Sequence, residues 1–228
     1  MSCLKSPKEL LIASRKYASE NVWVSLWHVI STTIVWLALV VAVFSLESMQ
    51  WKMVTSIVLG LVHVRLFVIY HDYQHGAILK NSKFIRAYMF VFGLLTLSPP
   101  SVWKRSHNHH HKNNAKLYGA SIGSYPVMTT KDYAEAPFLR RIQYRLARHP
   151  LFIGLGYVTV FFLGMCIRPL FLNPKRHWDA VLSVIVHGAI YVGLAMTNNP
   201  SDIVYVMVIP MAIAAGMGSY LFYAQHNF

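Results

Sequence analysis

Long apolar runs constrain this chain more than any other feature. Residues 22–46 and 51–70 each reach the roughly 20 apolar residues that a helix needs to cross the hydrocarbon of a bilayer. Only a short turn from Glu47 to Gln50 separates them, so they are expected to form a hairpin. Residues 180–196 and 203–223 are two further spans, the second expected to bend at Pro210. Residues 84–97 would make only about 21 Å of helix. They run into Pro99 and Pro100, which predicts a membrane-embedded or interfacial element. Residues 151–167 stand at the lower limit of length. The chain is 55% apolar and only 13% charged, against about a quarter charged for a soluble domain. A membrane class follows.

Charge placement sets the topology. Lys5, Lys8, Arg15 and Lys16 precede the first span, twelve basic residues lie between Lys80 and Arg148, and Arg168, Lys175 and Arg176 follow residues 151–167. The first turn carries Lys52 alone, and residues 198–202 carry no Lys or Arg. Basic residues concentrate on the cytoplasmic side, so residues 151–167 are expected to dip into the bilayer without crossing it. The expected fold is an all-α integral membrane protein with four transmembrane helices, membrane-embedded or interfacial helices, and both termini in the cytoplasm. The net charge of +13 flanks apolar spans, which reads as orientation and contact with anionic lipid, not nucleic acid.

The first twenty residues lack the apolar core and cleavage site of a signal peptide. Ser6, Pro7 and Glu9 instead predict a helix start, with Ser6 as N-cap and Pro7 at N1. Leu10, Leu11 and Tyr17 would lay an apolar stripe on the membrane surface. Phe138, Leu139, Ile142 and Leu146, flanked by Arg140, Arg141, Arg145 and Arg148, predict a basic amphipathic helix on the headgroups. The two cysteines, Cys3 and Cys166, make neither a disulfide framework nor a CxxC site.

Chemistry is concentrated in the twelve histidines. His71-Asp72-Tyr73-Gln74-His75 directly follows the second span, and residues i and i+4 share a helix face. His107-Asn108-His109-His110-His111, read as HxxHH, puts His107, His110 and His111 within roughly a 100° arc, with His109 a bystander. Either cluster alone has a bland reading as a chance surface pair or a solvated histidine tract. Together, on one membrane face, they point to a shared metal site. Asp72 and Asn108 are candidates to orient ligand rings or to cap helices. His63, His187 and Arg65 lie within spans and read as interior hydrogen-bonding or snorkelling groups. Trp103, Tyr118 and Tyr125 are candidates for a substrate entrance or an aromatic belt.

HDYQHG after the second span, WKRSHNHHH beyond it and FYAQHNF after the last span resemble the membrane fatty-acid desaturase family, most of all its bacterial acyl-lipid branch. The resemblance implies a single desaturase-like domain over residues 1–228, in a bacterial inner membrane, with a non-haem di-iron centre on the cytoplasmic side. Its implied iron ligands are His71, His75, His107, His110, His111 and His226. O2 would be the co-substrate, a membrane-lipid acyl chain the substrate, and a ferredoxin or cytochrome b5-type protein the separate electron donor. The family's third HxxHH box falls beyond the QHNF stretch, so a domain truncated at its C-terminus is expected. A metal centre suits this reaction, because no acid, base or nucleophile among the side chains removes hydrogens from an unactivated methylene pair, and a metal cofactor does.

Carotenoid ketolases and hydroxylases and lipid hydroxylases share the first box; lipid analysis for new double bonds separates them. A metal transporter would set its ligands within the membrane on interrupted helices and leave lipids unchanged. A fragment without activity is the remaining alternative.

Overall fold

The computed structural model describes residues 6–113, 116, 125–197 and 199–225. Among these residues the regular structure is entirely helical, with no strand. Helix α1 (Pro7–Ser14) starts as the sequence predicts. The Ser6 hydroxyl accepts the Glu9 N–H, the Glu9 carboxylate accepts the Ser6 N–H, and Pro7 stands in the first turn. Leu10, Leu11 and Tyr17 are exposed along it and the 3-10 turn that follows.

Helices α2 (Val22–Ser45) and α3 (Met49–Gln74) form the expected hairpin. Asn21 caps α2 by accepting the Trp23 and Val24 N–H groups, and Trp23, Trp27, Ile34 and Val41 leave its outer face apolar and exposed. Helix α3 runs four residues past Tyr70, so the first histidine pair starts on the spanning helix itself. Only Gly76, at φ +69°, ends it. Without a Cβ, glycine takes that left-handed conformation freely.

Helix α4 (Lys83–Leu95) is the short apolar element, capped by Ser82, and it turns by 90° into α5 (Pro100–Lys112). The bend is written in Pro99 and Pro100, because a residue before proline is pushed out of the helical region. Tyr70 donates from its hydroxyl to the Ser98 carbonyl at 2.9 Å and seals the corner. Gly93 is required there, since a Cβ would come within 2.9 Å of both the Ser98 carbonyl and the Tyr70 hydroxyl.

Helices α6 (Thr130–Glu135) and α7 (Phe138–Ala147) precede the borderline apolar region. In α7, Phe138 and Leu139 are exposed beside Arg140. The borderline region is α8 (Pro150–Gly154), a π-helical stretch Tyr157–Ile167 and α9 (Arg168–Leu172). Its apolar helix, Tyr157–Leu172, is shorter than a span.

Helix α10 (Trp178–Ala195) and the last span, Val204–Ala224, complete four helices long and apolar enough to cross a membrane. The last span opens as a π-helical stretch, Val204–Val208, and continues as α11 (Ile209–Gln225). Where a bend at Pro210 is expected, the span changes its winding instead: a proline cannot donate to Val206 four residues back, and wider turns accommodate its ring.

Helix α3 is the keel of the bundle, packed on α2 and on α11. Along the α3–α11 seam the Ser56 hydroxyl lies 2.7 Å from the Lys52 and Tyr205 carbonyls, and Gly60 sits where a Cβ would strike Ile213 at 2.9 Å. Small residues let backbones approach closely where lipid supplies no hydrophobic drive between helices. Lys52, the one basic residue counted in the first turn, is buried against Asp202 at 2.6 Å.

A candidate metal centre at the end of α3

The opposite end of α3 gathers the histidines. His71 stands in its last turn and His75 at its C-cap, one above the other as i and i+4. His107 and His111 repeat that spacing on α5. The Nε2 atoms of His71 and His75 are 3.2 Å apart, those of His75 and His107 2.9 Å, those of His107 and His71 3.0 Å, and those of His111 and His107 3.0 Å. All four ligand atoms lie within 4.8 Å of one another. Such separations suit nitrogens sharing one cation at about 2.1 Å each.

Neighbouring groups aim one of these rings and depress the basicity of two others. The Asp72 carboxylate lies 3.1 Å from His71 Nδ1, so that nitrogen carries the proton and Nε2 presents its lone pair. Burial pushes His75 below the ordinary imidazole range, and the charges of His71 and His111 add to the effect. Burial, then His71, His111, His75 and His110, hold His107 down to about 2. Neutral imidazoles that all turn lone pairs to one point cannot satisfy each other fully; a cation satisfies them together.

Two supports hold α5 in place. Trp103, 1% exposed, stacks on the His107 ring with centroids 4.2 Å apart. It belongs to a core with Tyr70, Ile85, Met89 and Phe92, so it is a floor under the cluster and not an entrance. The second support escaped sequence reading. Asp179, 2% exposed in the first turn of α10, accepts the Ser101 N–H at 2.8 Å and the Ser101 hydroxyl at 2.6 Å. The carboxylate therefore sits at two helix N-termini, where the exposed N–H groups favour negative charge. His177 Nδ1, 2.7 Å from the same hydroxyl, donates to it. An acid two residues into an apolar span was the available signal.

The remaining sequence candidates fall as follows. His110 is buried at 1% exposure next to the cluster, its ring centroid 6.4 Å from that of His107, and it is not among the four converging residues. Asn108 lines an open cavity with His75 and His111. His226 and Tyr118 lie outside the described residues. Tyr125 meets Tyr223 edge to face. His63 accepts from Trp36, His187 pairs with Tyr157, and Arg65 donates to Thr32, so each has an interior partner away from the cluster.

The fold and the cluster define a helical membrane protein with a histidine site, able to hold a metal, where a span meets a bent helix pair. The signature of the fatty acid desaturase family matches residues 49–228, from the first residue of α3 onward, and the chain belongs to that family. A fatty acid desaturase of Bacillus subtilis (strain 168) is 28% identical to it over 166 residues, which are 72% of this chain and 47% of the relative. The chain thus spans about half the length of that relative. No solved structure matches it.

Proposed function

We propose that this chain is the metal-binding part of an O2-dependent desaturase that introduces a double bond into acyl chains of membrane lipids. One observation carries the reading: four imidazoles, two from α3 and two from α5, bring their Nε2 atoms together at the end of a span. Iron bound there supplies oxidation of an unactivated methylene pair with O2. The four clustered rings are a donor set for one ion; His110 beside them and His226 are the further ligands that a second iron would take. Asp72 orients His71, and Trp103 and Asp179 fix the position of α5.

This end of α3 faces the cytoplasm in our reading. Lys80, Lys83, Arg86, Lys104 and Arg105 follow it in the sequence, and Lys80, Arg86 and Lys104 line a cavity with His75, whereas Lys52 at the far end is paired with Asp202. A separate ferredoxin or cytochrome b5-type donor supplies electrons, and the basic face suits an acidic partner.

The experiment is His107→Ala, with iron measured in the purified protein and fatty acids analysed in a host that expresses it. Iron retention and new double bonds are both expected to vanish. Normal iron and normal product in that variant would overturn the ligand assignment. Hydroxylated chains or polar carotenoids in place of double bonds would transfer the site to a different oxidation.

A further inference from the structure

Arg65 puts a fixed positive charge on the outer face of the α2–α3 hairpin. It lies six residues before His71 on α3, and it is exposed. Its Nε donates to the hydroxyl of buried Thr32 at 3.0 Å, and its Nη2 lies 3.3 Å from His28 Nδ1. A guanidinium only donates, so His28 Nδ1 is the acceptor and the proton of the neutral ring sits on Nε2. An arginine carries more N–H donors than these two contacts use. The rest, like His28 Nε2, have no partner among the described residues. A guanidinium and an imidazole N–H thus stand side by side on one exposed surface.

The surface around them suits hydrocarbon. Leu61 and Val68 share the Arg65 face of α3, Val24 and Val35 share the His28 face of α2, and all four are exposed. Helix α2 has 24 residues, about 36 Å, so it overhangs roughly 30 Å of hydrocarbon by a few ångströms at each end. His28 follows the cap Asn21 by seven residues, about 10 Å, which sets it inside that boundary but near it. Trp23 and Trp27, exposed on the same stretch, mark the headgroup level. A cation at this depth is costly unless an anion meets it.

The chain supplies no such anion. Of its eight acidic residues, none lies in α2, and the one in α3, Asp72, is against His71. Asp179 and Asp202 are buried on Ser101 and Lys52, and the others lie outside the four spans. A second copy of the chain has the same shortage. We propose that Arg65 and His28 form a site for the phosphate of an anionic phospholipid, on the same side of the membrane as the histidine cluster. A phosphodiester is the anion that the bilayer itself presents at this level. Its unesterified oxygens match adjacent donors, and bonds to an ionised group are the strong ones. The acyl chains of that lipid lie along Leu61 and Val35, toward the bilayer centre. The site needs no metal and no acyl chemistry, so it stands apart from the desaturase reading.

The full chain, purified in detergent, is offered equal amounts of dioleoyl phosphatidylglycerol, dioleoyl phosphatidylcholine and dioleoylglycerol. Lipid retained after washing is quantified by mass spectrometry, and bound iron is measured on the same sample. Phosphatidylglycerol is expected to exceed each of the others by about fivefold. Arg65→Gln keeps a donor for Thr32 but removes the charge, and should bring phosphatidylglycerol down to the phosphatidylcholine level. His28→Phe should lower the preference by about twofold, with iron unchanged in both variants. Arg65→Lys preserves the charge and should keep the preference, which separates loss of the site from a folding defect. Retention of phosphatidylcholine or dioleoylglycerol equal to that of phosphatidylglycerol would overturn the site. So would an undiminished preference in Arg65→Gln or His28→Phe, or an equal loss in Lys8→Gln, which removes an exposed charge elsewhere. Failure of the desaturase reading would register separately, as iron binding indifferent to His107→Ala with the lipid preference intact.

Discussion

The two ends of α3 hold their polar groups in opposite ways. At one end, Lys52 and Asp202 face each other at 2.6 Å with side chains only 6% and 7% exposed, and Asn199 donates a further bond to Asp202 at 3.2 Å. At the other, His71 and His75 meet His107 and His111, and the one acid at hand, Asp72, touches a ring from behind. The first end is electrically closed within the chain: cation answers anion, and nothing is left to bind. The second is a set of like nitrogen donors within 4.8 Å of one another, a group that could hold a metal ion. A polar cluster in a membrane protein is thus structural or functional according to whether its members satisfy one another.

That contrast can be broken at either end. Lys52→Ala leaves Asp202 buried without its partner and should cost about 3–5 kcal/mol, read as a lower unfolding midpoint in detergent, with metal affinity per folded chain unchanged. Replacing both, as Lys52→Met with Asp202→Leu, should recover most of the loss. A harmless Lys52→Ala would mean that the far end is not closed by this pair. At the histidine end the signature reverses. Asp72→Asn should weaken metal binding by about 10–100-fold in competition with a chelator, while the metal-free protein unfolds almost as before.

Acid should act on the histidine end in the same sense. His107 and His75 are both depressed below the ordinary imidazole value of 6.5. Below that value the unfolded chain takes up protons that the folded rings refuse, so their contribution is fully present above pH 6.5 and drains as pH falls toward the folded values. Metal release and unfolding of the metal-free protein should therefore both advance on acidification from pH 6.5. Metal binding that did not change between pH 7 and 5 would contradict the neutral-ring arrangement. The smallest effect belongs to Asn199→Ala, which removes one bond to Asp202 and should lower stability by about 1 kcal/mol, with no change in metal affinity.

Much of this was legible along the chain. The four spans, the cap at Ser6, the break at Pro99 and Pro100 and the i, i+4 pairing of the histidines are local properties, set by side-chain polarity, proline geometry and helical period. Family membership, too, was readable from short motifs. The partners of Lys52 and of Ser101 were not: Asp202 is 150 residues from the first and Asp179 is 78 from the second. Nothing in a local pattern joins positions so far apart.

The amino-acid order by itself determined which segments are helices, which of them are apolar enough for a bilayer, and which rings share a helix face. Only the tertiary structure decided that His71, His75, His107 and His111 converge while His110 stands beside them, and that Lys52 is buried in a pair. Helical period fixes the angle between side chains on one helix. The rotation of α5 about its own axis, and so the ring that meets α3, is set by what packs against it: Trp103 beneath His107 and the Asp179 carboxylate at its first turn.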